Sequence, residues 1–350
     1  MIGIAQQFRL EGAPKKSERY GHGHINETFF VETDVGQAYI LQRINHRVFK
    51  NISGLMHNVG AVTRFLAEKE PVSQHALRLI PTLDGQDYLR DERGEYWRVY
   101  NFIQNSVCLE RAETEKDFAQ SARMFGRFQQ MLADFPADTL VETIPRFHDT
   151  PNRFALLREA VQTDAVGRVE GVRAEIEAVL AYEKEADGLM CLLRQGRLPL
   201  RVTHNDTKLN NVIFDRETRE PICVVDLDTV MPGLVANDFG DSIRFGASTA
   251  AEDEMDLERV KLSLPLYEAY TKAFLAACGE SLLPLEIETL PMGAKLMTLE
   301  CGIRFLTDHL AGDVYFRIDR PGHNLDRFRT QYKLVRSMEE NWEAMCAAVR

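Results

Sequence analysis

Short runs of β-forming residues mark the first hundred positions of the chain. Residues 28–32 and 38–43 are two such runs, and the segment between them offers Asp34 and Gly36 for a hairpin turn. A helical stretch follows at 53–69. Two further apolar runs, 77–83 and 96–103, are bounded by turn residues. Together these elements predict a twisted antiparallel sheet that carries one helix.

The remainder of the chain has the pattern of long helices. Apolar residues recur at helical spacing, for example at Phe118, Ala122 and Phe125. Short strand-like pieces interrupt at 200–203, 211–214 and 221–226, and from about 252 onward the pattern predicts helix. We therefore expect an α+β fold with a small N-terminal antiparallel sheet lobe, residues 1–103, and a larger, mainly helical lobe, residues 104–350.

Composition narrows the class of partner. The chain has 350 residues, of which 45% are hydrophobic, and its formal net charge is −11. An acidic chain is a poor match for a phosphate backbone, so we expect no nucleic acid partner. The six cysteines form no Cys-x-x-Cys pair, and no basic leader or membrane-length apolar run is present. These features predict a cytoplasmic protein that does not bind a membrane, and we expect a monomer.

One polar loop carries the strongest chemical signal. Residues 202–211 contain the pattern His-x-Asp-x-x-x-x-Asn, from His204 through Asp206 to Asn211, with Lys208 two residues after the Asp. Phosphoryl transfer needs a carboxylate that accepts or orients the attacking hydroxyl, and oxygen ligands for the metal on the phosphates. Asp206 can be that carboxylate and Asn211 a metal ligand. Lys208 would place positive charge near the transferring group.

A second segment supplies a further metal ligand. Residues 222–228 form an apolar strand that ends in the acids Asp226 and Asp228. Acids at a strand end, beside a loop with Asp and Asn, are a common way to build a Mg²⁺ site. Either segment alone could be a polar turn with structural caps, but both occurring in order after a sheet-rich region make that interpretation improbable.

These two segments resemble those of the aminoglycoside phosphotransferase and choline kinase family. The resemblance runs from about residue 20 to about 342 and implies the bilobal protein-kinase-like fold, ATP as phosphoryl donor and Mg²⁺ as cofactor. It implies Asp206 as catalytic base, with Asn211 and Asp226 as metal ligands. Asp228 is either a further ligand or lies behind the ligands. Asp238-Phe239-Gly240 spells the metal triplet of protein kinases, but Asp238 resembles the family's later Asp, which braces the catalytic loop.

The nucleotide-binding signals are weaker. Residues 20–28 lie where a phosphate-covering loop belongs, and the predicted contacts there are Gly21, Gly23, Asn26 and Thr28. His22 and His24 are interpreted as polar loop residues rather than metal ligands. The resemblance implies a phosphate-pairing Lys on the third strand, but residues 39–43 contain no Lys. Gln42 is closest to that position and Arg43 follows on the opposite strand face, and both are predicted nucleotide contacts. Asn101 and Ile103 belong to the stretch predicted to contact the purine.

Three later segments, 225–233, 238–246 and 300–310, are similar to those of N-acetylhexosamine 1-kinases. That similarity implies phosphorylation of the anomeric hydroxyl of GlcNAc or GalNAc, with Arg304 and Tyr315 as sugar contacts. From the residues alone, Arg304 could instead pair with Asp308 four residues later, and Tyr315 could belong to the core. Two other functions stay open: a kinase for an aminoglycoside, choline or other amino-bearing acceptor, and a nucleotide-binding pseudokinase that regulates a partner.

Overall fold

The computed structural model describes residues 1–21, 25–70, 76–112 and 114–350. Its described helices and strands divide between two compact units. One unit comprises 1–108, 134–145 and 212–232, and the other comprises 109–133, 146–211 and 233–350. Asp226 and Asp228 therefore lie in the compact unit that contains the N-terminal sheet, whereas Asp206 and Asn211 lie in the helical unit. The predicted boundary between an N-terminal nucleotide-binding lobe and a C-terminal catalytic lobe, after residue 103, stays a prediction.

The first unit is built on an antiparallel sheet. The elements of this unit are α1 (Ile2–Ala5), β1 (Pro14–Arg19), β2 (Glu27–Thr33), β3 (Ala38–Ile44), α2 (Ile52–Lys69), β4 (Leu79–Ile80), β5 (Leu89–Arg90), β6 (Tyr96–Asn101), β7 (Ser106–Cys108), β9 (Val212–Asp215) and β10 (Pro221–Val224). The strands of the main sheet run in the order β1-β2-β3-β6-β4, and β5 also pairs with β6. A second sheet has the order β10-β9-β7.

The second unit is mainly helical. It also contains two short strands, β8 (Arg201–Thr203) and β11 (Met231–Gly233), and β11 begins in the first unit. Its helices are α3 (Glu115–Met131), α4 (Thr150–Thr163), α5 (Arg173–Leu180), α6 (Glu183–Ala186), α7 (Gly188–Arg194), α8 (Val235–Gly246), α9 (Leu264–Cys278), α10 (Pro284–Ala311), α11 (His323–Glu340) and α12 (Trp342–Ala348). Helix α10 packs on α8, α4 and α11, and α3 packs along α9.

Most elements form where the sequence pattern places them, but the short strands β5, β7 and β11 were not predicted, and four other segments differ from the prediction. Strand β1 was not predicted, because its sequence PKKSER is polar and it lies exposed at the sheet edge. The short helix α1 is a second helix in the sheet unit. The apolar run 77–83 forms a strand at Leu79–Ile80 alone, and Thr82 adds an isolated bridge to Phe8. Residues after 252 do not enter a long helix until Leu264. The predicted α+β class, with an antiparallel sheet followed by helices, is confirmed.

Small residues let α8 and α10 approach closely. A Cβ built on Gly240 would lie 2.3 Å from the carbonyl oxygen of Gly293, and one on Gly293 would lie 2.1 Å from that of Ala236. Neither distance leaves room for a methyl group, so glycine is required at both positions. The contact fixes α8, whose side chains hold the predicted catalytic loop, against the longest helix of the unit.

Candidate active site

Helix α8 holds the loop that follows β8. The carboxylate of Asp238 accepts the backbone N–H of His204 at 2.8 Å and that of Asn205 at 2.7 Å. One turn later, Asp241 accepts the N–H of Thr207 at 3.0 Å. Since residues three apart on a helix share a face, two carboxylates of α8 fix three backbone amides of the loop. Asn205 adopts a left-handed conformation with φ 63°, which these contacts stabilise.

Asp238-Phe239-Gly240 is therefore a packing and bracing segment of α8. Asp238 is 2% exposed and also accepts Nε2–H of Gln129 at 3.0 Å. Burial raises the pKa of Asp238, although the amide of His204 works in the opposite direction. Phe239 is fully buried against the rings of α9, and Gly240 faces α10. The hydrogen bonds agree with the bracing role that the sequence assigned to Asp238.

Asp206 differs from its neighbours because it is partly open to solvent. Its side chain is 30% exposed, and Oδ1 lies 2.8 Å from Nζ of Lys208. The amide of Asn211 donates to Oδ2 of Asp206 at 3.1 Å and to its backbone oxygen at 2.8 Å. Burial opposes the charge of Lys208, but the carboxylates of Asp206 and Asp241 raise its pKa above the ordinary value. The helical unit thus brings together three of the predicted residues, Asp206, Lys208 and Asn211.

The two acids after β10 lie in the sheet unit. Asp226 is exposed and left-handed, with φ 59°, at the start of a short 3₁₀ helix, Leu227–Thr229. Asp228 is buried, and its Oδ2 accepts Nδ2–H of Asn26 at 2.5 Å. Its Oδ1 lies 2.5 Å from Nη1 of Arg98 but without the alignment of a hydrogen bond. The unit therefore joins Asp228 to one predicted nucleotide residue, Asn26, and to one unpredicted residue, Arg98.

A row of polar side chains crosses the sheet and ends at Arg98. Thr28, Gln42 and Arg98 are register partners on β2, β3 and β6, so their side chains share one face. Gln42 donates to Oγ1 of Thr28 at 3.1 Å and accepts Nε–H of Arg98 at 3.0 Å. The sequence offered one signal for Arg98, a charged residue inside the apolar run 96–103. The residues that Arg98 contacts depend on strand register, so the sequence alone could not show what this charge does.

The other predicted nucleotide residues make different contacts. Arg43 lies on the opposite face of β3, where its guanidinium pairs with Glu27 at 2.6 Å. Gly21 is exposed with φ 71°, and Gly23 lies with His22 and His24 outside the described residues. The side chain of Asn101 accepts the N–H of Arg78 and donates to the oxygen of Ala76. Ile103 is buried, and its carbonyl accepts the hydroxyl of Ser106 at 2.6 Å.

Arg304 on α10 lies among aromatic rings. Its guanidinium carbon is 5.6 Å from the ring centre of Phe147, 5.8 Å from that of Tyr315 and 5.4 Å from that of Phe316. Within the described ranges Arg304 makes no ion pair or hydrogen bond, and the alternative pairing with Asp308 does not form. Asp308 instead accepts the backbone N–H groups of residues 314, 315 and 316, which positions the loop of Tyr315.

Beside Arg304 is a buried polar cluster that the sequence did not predict. Glu300 is 1% exposed and accepts from His148 Nδ1 and from the hydroxyl of Thr150, each at 3.0 Å. Arg153 lies 3.6 Å from the same carboxylate. Burial opposes ionisation of Glu300, but its bond with His148 and the nearby arginines hold its pKa below the ordinary value. Three of these residues lie on or before α4, so only tertiary packing assembles the cluster.

The predicted magnesium ligands have oxygen atoms suited to a hard cation. The amide nitrogen of Asn211 is used by Asp206, and its oxygen accepts no hydrogen bond from the residues described. Both carboxylate oxygens of Asp228 already face donors, since Oδ2 accepts the amide of Asn26 and Oδ1 lies 2.5 Å from the guanidinium of Arg98. Carboxylate and amide oxygens are the ligands Mg²⁺ prefers, so these residues fit the ion chemically. Among the described ranges, no three His, Cys, Asp or Glu side chains converge as a metal cluster.

Comparisons with known proteins identify the family and the fold. The model of the phosphotransferase enzyme family matches residues 16–272, more than half of the chain. An aminoglycoside phosphotransferase from Alicyclobacillus acidocaldarius is 14% identical, with a TM-score of 0.64, over 99% of this chain and 94% of that one. An amicoumacin kinase in complex with AMP-PNP and Ca²⁺ is 15% identical, with a TM-score of 0.62, over 94% and 91%.

A choline kinase from Streptococcus pneumoniae is 14% identical, with a TM-score of 0.51, over 93% of this chain and 94% of that one. At such identities the likeness shows the fold, and it confirms the predicted bilobal kinase-like architecture. Within the described part of the chain, no helix has the length and apolar character of a membrane span.

Proposed function

Because the chain belongs to the phosphotransferase enzyme family, we propose that it transfers the γ-phosphoryl group of ATP to the anomeric hydroxyl of an N-acetylhexosamine such as GlcNAc or GalNAc. The coarser activity, phosphorylation of a small molecule, follows from the family. The finer assignment depends on the contacts of Asp206 and Arg304.

Asp206 is the proposed base. Its carboxylate is partly exposed, and Lys208 and Asn211 fix one oxygen each. It takes the proton of the acceptor hydroxyl while that oxygen bonds to the γ-phosphorus and the bond from phosphorus to the β–γ bridging oxygen breaks, releasing ADP. An anomeric hydroxyl is more acidic than an ordinary alcohol, so a carboxylate of ordinary basicity suffices. Asn211, Asp226 and Asp228 are the proposed ligands of Mg²⁺, which neutralises phosphate charge when bound.

Arg304 is the observation that favours a neutral acceptor. The three rings hold its guanidinium, and no described acid lies within ion-pair distance of it. The nearby acid Glu300 already interacts with His148, Thr150 and Arg153. An ammonium group would meet uncompensated positive charge here, whereas a sugar offers hydroxyl and acetamido oxygens to the guanidinium and C–H faces to the rings. Tyr315, 70% exposed, is the proposed ring contact.

The competing hypothesis is an amino-bearing acceptor. The structurally similar proteins include an aminoglycoside phosphotransferase and a choline kinase, and the net charge of −11 is compatible with a cationic substrate. The surroundings of Arg304 count against it. A pseudokinase is disfavoured because Asp206 retains an exposed carboxylate with both of its positioning partners.

A panel assay of ADP release separates these functions. The acceptors are GlcNAc, GalNAc, choline, kanamycin and the 1-O-methyl glycoside of GlcNAc, which lacks the free anomeric hydroxyl. We expect turnover with the free sugars only, and ³¹P NMR of the product should place the phosphate on the anomeric carbon. Asp206→Asn is the control for contaminating kinases. Turnover with choline or kanamycin and none with the sugars would overturn the sugar assignment, and no turnover with any acceptor would favour the pseudokinase.

A further inference from the structure

Arg98 is a buried, positively charged residue of the sheet unit, and it lies beside the position on β3 where a Lys was expected. Gln42 is the residue of β3 closest to the position where the resemblance implies a phosphate-pairing Lys, and its register partner on β6 is Arg98. Side chains directly opposite on neighbouring strands lie within about 5.5 Å at their Cβ atoms. A guanidinium on β6 can therefore reach the region that a Lys on β3 would serve.

Arg98 is held in place by partners on several elements. Its side chain is 1% exposed, and it contacts Gln42 on β3, Asp228 after β10 and the sulfur of Met56 on α2. The guanidinium carbon also lies 5.1 Å from the ring centre of Tyr100. A guanidinium stays protonated in proteins, and these contacts fix its position. Arg98 is thus a fixed, positively charged group.

A purely structural ion pair explains these contacts poorly. A buried pair is a weak source of stability compared with apolar residues of similar volume, so its presence suggests another use. Nη2 of Arg98 makes no hydrogen bond to the residues described, whereas Oδ1 of Asp228 is already taken by the ion pair with Nη1. Arg98 therefore keeps one donor that its partners do not use.

We propose that Arg98, supplied from β6, is the phosphate-binding cation of the nucleotide site and replaces the Lys that β3 lacks. The guanidinium binds phosphate oxygens through Nη2, while Gln42 and Asp228 orient it. This inference rests on the proposed function only in requiring that the chain binds a nucleotide. With Arg98 in this role, the absence of a Lys on β3 gives no support to a pseudokinase.

The test measures how much affinity the phosphates add. Isothermal titration calorimetry with adenosine, AMP and ADP in the presence of Mg²⁺ is performed on the wild type, Arg98→Lys and Arg98→Met. Arg90→Met is the matched control, because Arg90 also lies on the sheet next to β6 and over a tyrosine ring. For Arg98→Met we expect ADP affinity to fall about 10- to 100-fold with adenosine affinity unchanged, as loss of a charge-assisted bond implies. Arg90→Met should match the wild type.

Two further variants keep the test decisive. Arg98→Lys preserves the charge beside Asp228, so it folds even if Arg98→Met does not, and we expect a smaller loss since Lys lacks the planar fork. The double variant Gln42→Lys with Arg98→Gln moves the cation to β3 and should recover much of the ADP affinity.

The outcomes separate two failures. If folded Arg98→Lys and Arg98→Met retain the wild-type ratio of ADP to adenosine affinity, Arg98 is only structural and this inference is wrong. If Arg98 variants lose adenosine and ADP affinity equally, the same conclusion follows. If the wild type binds no nucleotide, the proposed function fails together with it. Normal nucleotide results without sugar turnover would overturn the acceptor assignment and leave Arg98 supported.

Discussion

Replacing Asp238 should damage the fold of the helical unit rather than its metal chemistry. Asp238→Ala removes the carboxylate that accepts the backbone N–H groups of His204 and Asn205, whereas Gln129 keeps its bond to the oxygen of Val202. Loss of the acceptor of a buried hydrogen bond costs about 1–3 kcal/mol, so the two bonds account for about 2–6 kcal/mol. Burial of the carboxylate itself is unfavourable, as its raised pKa indicates, and this offsets part of the loss.

We therefore expect a net loss of about 2–4 kcal/mol, or a fall of about 5–15 °C in Tm, at about 2–4 °C per kcal/mol for a unit of this size. Differential scanning calorimetry measures the shift, and nucleotide titration well below Tm tests the site. Asp226→Ala is the comparison, since Asp226 is exposed after β10. It should leave Tm nearly unchanged and abolish the Mg²⁺ dependence of nucleotide binding.

Asp134→Ala controls for the loss of any carboxylate, because Asp134 pairs with Lys69 at the exposed surface and its loss should leave Tm nearly unchanged. The reverse pattern would refute the reasoning. If Asp238→Ala kept the wild-type Tm and lost Mg²⁺-dependent binding while Asp226→Ala unfolded, the triplet at 238–240 would be the metal segment after all.

Three further predictions concern single side chains. Asp206→Asn should lower kcat about 10²- to 10⁴-fold while calorimetry shows nucleotide binding intact, and wild-type turnover would exclude Asp206 as the base. Arg304→Met should raise KM for the sugar with little change in nucleotide KM, measured by varying each substrate in turn; an equal rise in both would indicate a structural defect. Glu300 has a folded pKa below its ordinary 4.5, so its contribution to stability is present above about pH 4.5 and is lost as pH falls through the folded pKa. Glu300→Gln should therefore flatten the acid side of the stability profile in pH-dependent denaturation, and an unchanged profile would contradict this.

The sequence determined the local elements and the types of chemical group. Alternating and helical spacing placed β2, β3, α2 and β6 within a few residues of their observed bounds, because each pattern reflects burial of one face of a single element. The polar edge strand β1 was not predicted, since an exposed strand has no alternation of apolar and polar residues. The loop with Asp206 and Asn211 was identifiable because all of its chemistry lies within ten residues.

Tertiary structure decided which side chains meet. Arg98 is 56 positions from Gln42 in sequence and becomes its neighbour only through the register of β3 with β6. Glu300 and His148 are 152 positions apart and meet only through helix packing. A local pattern reports which face of an element is buried, whereas strand register and helix contacts decide what that face touches. The charge that compensates the missing Lys could therefore be seen only in the folded chain.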